Sequence, residues 1–283
     1  MKIIISGDEL KNITKGWKQS ASSIALVPTM GALHDGHASL IGLGRKAGDK
    51  LVVSVFVNPA QFAPGEDLDK YPRTLDKDAA LAESLGVDVL FTPSPEEMYP
   101  KGFDTWIEVP QMSSILCGMS RPTHFKGVCT VVNKLLNLSR ADLAIFGEKD
   151  WQQFAVLSKM VKDLCMPTEL RAAPIIREKD GLALSSRNAY LSPEERAQAP
   201  MFNKGMAVGK QMLAGSGVGR APLIKQEVLD FWEQNFPLAK VDYLEVVNPL
   251  TLEPIDDITG PARMLAAVYV GQTRLIDNIV LVA

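Results

Sequence analysis

The chain has 283 residues, 46% of them hydrophobic and 22% charged, and a formal net charge of −3. That balance describes a globular protein of about two domains and excludes a global basic field that would draw nucleic acid or an anionic membrane. No apolar run reaches the roughly 18 residues of a membrane span.

Met1 to Glu9 lacks a signal-peptide core, so a cytoplasmic protein is expected. The same stretch predicts a short strand followed by an acidic helix start. Cys117, Cys129 and Cys165 have no metal-type spacing and are expected to be reduced structural thiols. Further along, strands are predicted at Ile24–Val27, Leu51–Val57, Val87–Phe91, Leu143–Phe146 and Glu169–Ala172. Helices are predicted at about 36–47, 74–85, 126–139 and 150–164, and the apolar stretch 128–136 should be core. The alternation predicts an α/β fold, a Rossmann-like parallel sheet with helices on both faces. The likeness is one of topology, because the GxGxxG fingerprint is absent. Ligands of such sheets sit beyond the carboxyl ends of the strands, so the loops after Val27, Val57 and Phe146 should share one crevice.

Composition shifts after about residue 175. Ser192-Pro193-Glu194-Glu195 is a helix start, with Ser as cap and Pro at the first helical position. Gly215 to Gly219 predicts a flexible break. A helix over 222–235 and strands at Val241–Val247, Met264–Tyr269 and Leu275–Val282 complete a smaller α+β domain. The expected division is 1–175 for a nucleotide-binding domain and 176–283 for a C-terminal domain that closes over its site.

All three histidines fall in two short segments. The first, Pro28-Thr29-Met30-Gly31-Ala32-Leu33-His34-Asp35-Gly36-His37, follows a strand and opens a helix. Free N–H groups and the positive end of the helix dipole would face an anion there. A spacing of three sets His34 and His37 on one helical face, each with a donor N–H for a phosphoryl oxygen. Two other readings stand beside this one: exposed helix residues, or two ligands of a metal. Zinc would need a third ligand, and no cysteine pair or HExxH pattern supplies it.

Four more segments carry chemistry. Asn58 and Gln61 end a strand with two amides suited to a small polar substrate, although Asn58-Pro59 taken alone reads first as a plain turn. Lys149 and Asp150 follow a strand, where Lys149 either reaches a nucleotide phosphate or is solvated, and Gln152 or Gln153 could point back to the same crevice. Ser185, Ser186 and Arg187 lie in a polar loop that suits phosphate, as a lid or as ordinary surface. Arg121 and His124 bring cations that suit a polyphosphate or a carboxylate.

In order, PTMGALHDGH, VFVNPAQF, EDLDKYPRT, RPTHFKGV, FGEKDWQQ and DGLALSSRNAYLS span most of the first 195 residues. Together they resemble the pantoate–β-alanine ligases, within the HxGH nucleotidylyltransferase superfamily. The resemblance implies that (R)-pantoate is activated by ATP to pantoyl adenylate, which β-alanine then converts to pantothenate. ATP, with Mg²⁺, is the implied nucleotide, and a homodimer the implied state. The strand Leu51–Val57 or the helix near 128–136 is a candidate dimer contact.

The resemblance places Pro28, Met30, Gly31, Ala32, Leu33, His34, Asp35, Gly36 and His37 at ATP, with His37 as general acid. It adds Gly147, Glu148, Lys149, Asp150, Ile176, Leu184, Ser185, Ser186 and Arg187. Lys149 would reach phosphate, Asp150 the ribose and Ile176 the adenine through its backbone. The implied catalytic set is His34, His37, Lys149, Ser185, Ser186 and Arg187. Gln61 and Gln153 would hold pantoate, with β-alanine also near Gln61. Met30, Asn58, Tyr71, Arg121 and His124 are further substrate candidates. The sequence departs from the family's pattern twice. Leu184 stands where Met is common, a nearly volume-conserving change. Some relatives carry an unbroken carboxylate run as a Mg²⁺ contact where this chain has Asp76-Lys77-Asp78; Lys77 interrupts it, which counts against the candidate ligand Asp78. Two other classes stay open: a nucleotidylyltransferase that keeps the adenylate as product, and an inactive nucleotide-binding module.

Overall fold

The computed structural model describes residues 1–216 and 219–283. It divides into two compact units, one of Met1–Glu148 with Val156–Pro174, the other of Lys149–Ala155 with Ile175–Ala283. The chain therefore enters the second unit twice, and a single boundary at 175 does not describe the division.

The first unit begins with β1 (Lys2–Ile4) and α1 (Gly7–Gln19), whose cap Ser6 accepts from the Glu9 N–H. β2 (Ile24–Thr29), α2 (Asp35–Ala47), β3 (Lys50–Val55), α3 (Leu75–Ser84) and β4 (Val89–Phe91) follow. Three short helices, α4 (Pro95–Met98), α5 (Pro110–Ser113) and α6 (Cys117–Ser120), precede α7 (His124–Ser139), β5 (Leu143–Gly147), α8 (Trp151–Asp163) and β6 (Glu169–Ala173). The six strands are parallel, in the order β1-β4-β3-β2-β5-β6. Ile24 to Val27 and Leu51 to Ser54 are buried without a break, as strands covered on both faces must be. Ala25, Val27, Leu51 and Val53 meet Leu40 and Ile41 of α2 in one core cluster, and on the other face α7 packs against β2 and α1. The strand order reverses between β2 and β5, so the loops leaving β3, β2 and β5 lie side by side at the carboxyl edge.

Two expectations are corrected at this level. β3 is an interior strand, hydrogen-bonded to β2 and β4, so the run Leu51–Val57 offers no free edge to a second subunit. The apolar residues of 128–136, among them Val128, Val131, Val132, Leu135 and Leu136, are spent on the chain's own core. Cys117 and Cys129 are buried, and burial, with Glu108 adding to it, pushes the Cys129 thiol up to about 12. Cys165 is exposed and is not a core thiol.

In the second unit α9 (Pro193–Gln198) starts at the capping box of Ser192 and Glu195. α10 (Pro200–Ser216) and α11 (Ala221–Asn235) cover an antiparallel sheet of β7 (Ala239–Val247), β8 (Ala262–Val270) and β9 (Thr273–Val282). Phe202, Met206, Val228, Trp232, Met264 and Val268 form its core. α10 continues through Gly215 and Ser216, so the expected break does not begin there; Gly217 and Val218 lie outside the described residues.

Candidate active site

β2 ends at Thr29, and the five residues that follow turn the chain into α2. Gly31 stands at φ +84° and Ala32 at +50°, a left-handed conformation that costs a non-glycine residue roughly 1–2 kcal/mol. Asp78 of α3 holds this turn. Its Oδ2 accepts from the Ala32 N–H at 2.9 Å, and its Oδ1 from the Leu33 N–H at 2.8 Å and the Thr74 hydroxyl at 3.1 Å. The carboxylate is 1% exposed. A Cβ on Gly31 would stand 2.9 Å from Val55 Cγ1 and 3.0 Å from Asp78 Oδ2. Asp78 is therefore corrected from metal candidate to loop anchor, because its oxygens are committed to backbone donors.

His34 is the N-cap of α2. Its Nδ1 accepts from the Gly36 N–H at 3.1 Å, and the His37 Nδ1 accepts from the His34 N–H at 3.3 Å. An imidazole nitrogen that accepts carries no proton, so these bonds fix both rings as neutral tautomers protonated on Nε2. The rings lie 4.1 Å apart, tilted by 40°, and both are half-buried. The expected cradle of free backbone N–H groups is corrected: those of Ala32, Leu33, His34 and Gly36 are already engaged within the chain. The pair is not an exposed helix face. Nor, among the described residues, does any group of three His, Cys, Asp or Glu side chains come together as a metal site.

The next strand end carries the amides. Asn58 caps the single turn Pro59–Gln61, and Asn58 and Gln61 are 1% and 8% exposed. The Asn58 Nδ2 donates to Gln61 Oε1 at 3.0 Å, and Gln61 Nε2 donates to the Met30 sulfur at 3.1 Å. The structure thus joins Met30 and Gln61, two substrate candidates from separate strand ends. α7 lies against the same turn. A Cβ on Gly127 would stand 2.3 Å from the Ala60 oxygen, so only glycine permits that approach.

Arg121 and His124 brace the turn that carries Gln61. The Arg121 guanidinium donates to both oxygens of Glu66, at 2.7 and 2.5 Å, and to the Gln61 carbonyl at 3.2 Å. His124 Nδ1 meets that carbonyl at 3.0 Å, and Arg121 Nη1 meets its Nε2 at 3.3 Å. A carbonyl only accepts and a guanidinium only donates, so His124 is neutral with its proton on Nδ1. Burial works against charge on Glu66, but the hydrogen bonds and charge of Arg121 outweigh it and hold the carboxyl below its ordinary value. Tyr71 is buried, edge-on to Phe62.

In the second unit Lys149 and Asp150 form a single helical turn before α8, and both are half-buried, as is Gln153, whereas Gln152 is buried. The Lys149 carbonyl accepts from Asn278 Nδ2 at 3.0 Å. Asn278 also accepts from the buried Arg263, whose guanidinium lies 3.4 Å over the Trp151 ring. The residues flanking Lys149 are thus fastened to β8 and β9. Ile176 and Leu184 pair through the Leu184 N–H and the Ile176 carbonyl at 3.0 Å, at the open end of a hairpin that turns at Gly181. Arg177 pins that hairpin to Asp277 of β9 through bonds of 2.6 and 2.9 Å. Ser185 caps the turn Ser186–Tyr190 by accepting from the Arg187 N–H at 3.3 Å.

Sequence reasoning missed Asn278 and Arg263, which lie among apolar strand residues, and gave no role to Glu66, although it opens the segment EDLDKYPRT. Each acts through a partner distant in sequence.

The model of the pantoate-beta-alanine ligase family matches residues 2–280. A pantothenate synthetase of Oleidesulfovibrio alaskensis is 53% identical over 282 residues, covering 100% of both chains. A crystal structure of pantothenate synthetase from Thermus thermophilus superposes with a TM-score of 0.93 at 41% identity, again over 100% of both chains. That of the Francisella tularensis ligase, complexed with beta-gamma ATP and beta-alanine, gives 0.80 at 34% identity over 99% of this chain and 98% of that one. Matched from end to end in sequence and in fold, the chain belongs to the pantoate–β-alanine ligase family.

Proposed function

We propose that this protein is an ATP-dependent ligase that joins (R)-pantoate to β-alanine, releasing pantothenate, AMP and pyrophosphate. The carrying observation is the family match over residues 2–280. In the first step a pantoate carboxylate oxygen attacks the α-phosphorus of ATP, the bond to the bridging oxygen breaks, and pyrophosphate leaves with the electron pair. In the second, the β-alanine amine attacks the acyl carbon, the bond to AMP breaks, and the amine gives up a proton. Neither step needs an enzyme nucleophile, so catalysis is positioning and stabilisation of phosphate charge.

The tautomers of His34 and His37 support a role as neutral donors, each offering Nε2–H to a phosphate oxygen, with His37 nearest the developing charge. Lys149 adds a positive charge at the phosphates, and Asp150 and Ile176 hold ribose and adenine. Ser185, Ser186 and Arg187, with Leu184 before them, offer hydroxyls and a guanidinium to the triphosphate, and exclusion of water protects a water-sensitive mixed anhydride. Gln61 and Gln153 hold pantoate. The Asp78 carboxylate does not fit a Mg²⁺ ligand, and the ion belongs to the proposal only as a companion of the ATP phosphates. A homodimeric state rests on the family resemblance alone, and a cytoplasmic location belongs to the same proposal.

The test is to incubate the pure protein with ATP, Mg²⁺ and (R)-pantoate, with and without β-alanine. Pantothenate and AMP should form in equal amounts only when the amine is present. Pyrophosphate released without amine, up to about one per site, would identify the adenylate as the bound intermediate. Absence of pyrophosphate under all conditions would sink the pantoate assignment.

A further inference from the structure

Asn58 has four hydrogen-bonding positions on its side chain, and all four are filled. Its Oδ1 accepts from the Ala60 N–H at 3.3 Å and from the Tyr99 hydroxyl at 2.7 Å. Its Nδ2 donates to the Gly127 carbonyl at 3.2 Å and to Gln61 Oε1 at 3.0 Å. Two of these partners are backbone groups of fixed polarity, one a pure donor and the other a pure acceptor. They set the polarity of the Asn58 amide through long bonds of 3.3 and 3.2 Å, and the Tyr99 hydroxyl, at 2.7 Å the shortest of the four, holds it there. Asn58 therefore has no position left for a substrate, and Gln61 must turn its oxygen to Asn58 and its NH₂ away from it, with one N–H on the Met30 sulfur and the other available to a substrate. Burial pushes the Tyr99 phenol up to about 12, so it stays a donor throughout the working pH range.

We propose that Tyr99 and Asn58 are positioning residues for the ligase reaction: through their relay Gln61 meets the acid substrate as a hydrogen-bond donor, selecting a carboxylate or hydroxyl oxygen as its partner. The proposal rests on the ligase reading above. Tyr99 comes from the end of α4, beyond β4, and Asn58 from the end of β3, so the relay runs along the carboxyl edge of the sheet. An amide free to flip would offer its oxygen to a carboxylate half of the time, and a buried carboxylate facing an oxygen is strongly disfavoured.

The wild-type protein is first assayed for pantothenate, since its failure there overturns the ligase reading and says nothing against the relay. Tyr99→Phe keeps the ring, which stacks on Trp106 and meets Phe103 edge-on, and removes the donor. Its KM for pantoate should rise roughly ten-fold while the KM for ATP stays within about two-fold. An unchanged pantoate KM, or equal rises for both substrates, would overturn the relay. Gln61→Glu tests polarity independently: the isosteric carboxylate cannot donate at neutral pH, so kcat/KM for pantoate should fall by about 100-fold or more. Near-wild-type activity in that variant would show that Gln61 serves as an acceptor and would overturn the proposal. Should Tyr99→Phe fail to fold, the same KM comparison is made on Asn58→Asp, which keeps the side-chain shape and removes the donor to Gln61; an unchanged pantoate KM there would overturn the relay.

Discussion

The Ala32 N–H donates to the Asp78 carboxylate at 2.9 Å while Ala32 itself stands at φ +50°. A buried acid thus holds a strained residue between the strand β2 and the two histidines. Asp78→Asn replaces one acceptor oxygen by an NH₂ that faces a backbone N–H. The expected cost is about 2 kcal/mol of stability, with a raised KM for ATP, read by urea unfolding and steady-state kinetics. A variant as stable and active as wild type would show that the loop holds its shape without the carboxylate.

The tautomers of the histidine pair make a sharper prediction. Glutamine places an N–H close to where the His37 Nε2–H sits; alanine places nothing there. His37→Ala should lower single-turnover adenylation by about 100-fold or more, and His37→Gln should recover part of that loss. Equal rates in the two variants would mean that the ring acts by some means other than donating from Nε2.

At Gly127 the prediction is steric. An added methyl would stand 2.3 Å from the Ala60 oxygen and 2.6 Å from the Gln61 nitrogen, and both are backbone atoms. Gly127→Ala should cost about 1–3 kcal/mol and weaken pantoate use more than ATP binding. Thermal melting and the two KM values check this, and a stable variant with normal pantoate kinetics would contradict it.

Glu66 gives a pH dependence of known sign. Its carboxyl is held below the ordinary value of 4.5 in the folded protein, so the stabilisation it gives is complete above that value. It is lost as pH falls through the lower folded value. The melting-temperature gap between wild type and Glu66→Gln should stay constant from about pH 7 to 5 and shrink in stronger acid. A gap that widens on acidification would reverse the assigned role of Arg121 in holding the charge.

Lys149→Ala should remove phosphate charge stabilisation while leaving the fold intact, because the anchor from Asn278 reaches the Lys149 carbonyl and not its side chain. Loss of adenylation with an unchanged melting temperature is the expected pair of results. Unfolding would make Lys149 a structural residue.

The central strands of the parallel sheet were legible because buried strands are continuous apolar runs, as in Ile24–Val27, and because Ser192 and Glu195 mark a helix start by their chemistry. The two histidines were legible as a pair by their spacing. Their tautomers were not, because these depend on which backbone N–H each ring caps. The partners of Arg121 and His124 were hidden for a related reason: side-chain charge is visible in a sequence, whereas Glu66 and the Gln61 carbonyl, which they meet, are remote from them. Asp78 misled likewise, since a carboxylate that binds backbone and one that binds metal are the same letter.

The return of Lys149–Ala155 to the second unit bears on how the chain can be cut. A nick between Pro174 and Ile175 would separate Trp151 from the polypeptide that carries Arg263, its stacking partner. The fragment 175–283 expressed alone would lack that ring and would expose the buried guanidinium. Co-expression of both halves, rather than either one, is the form in which a split version of this protein should recover its structure.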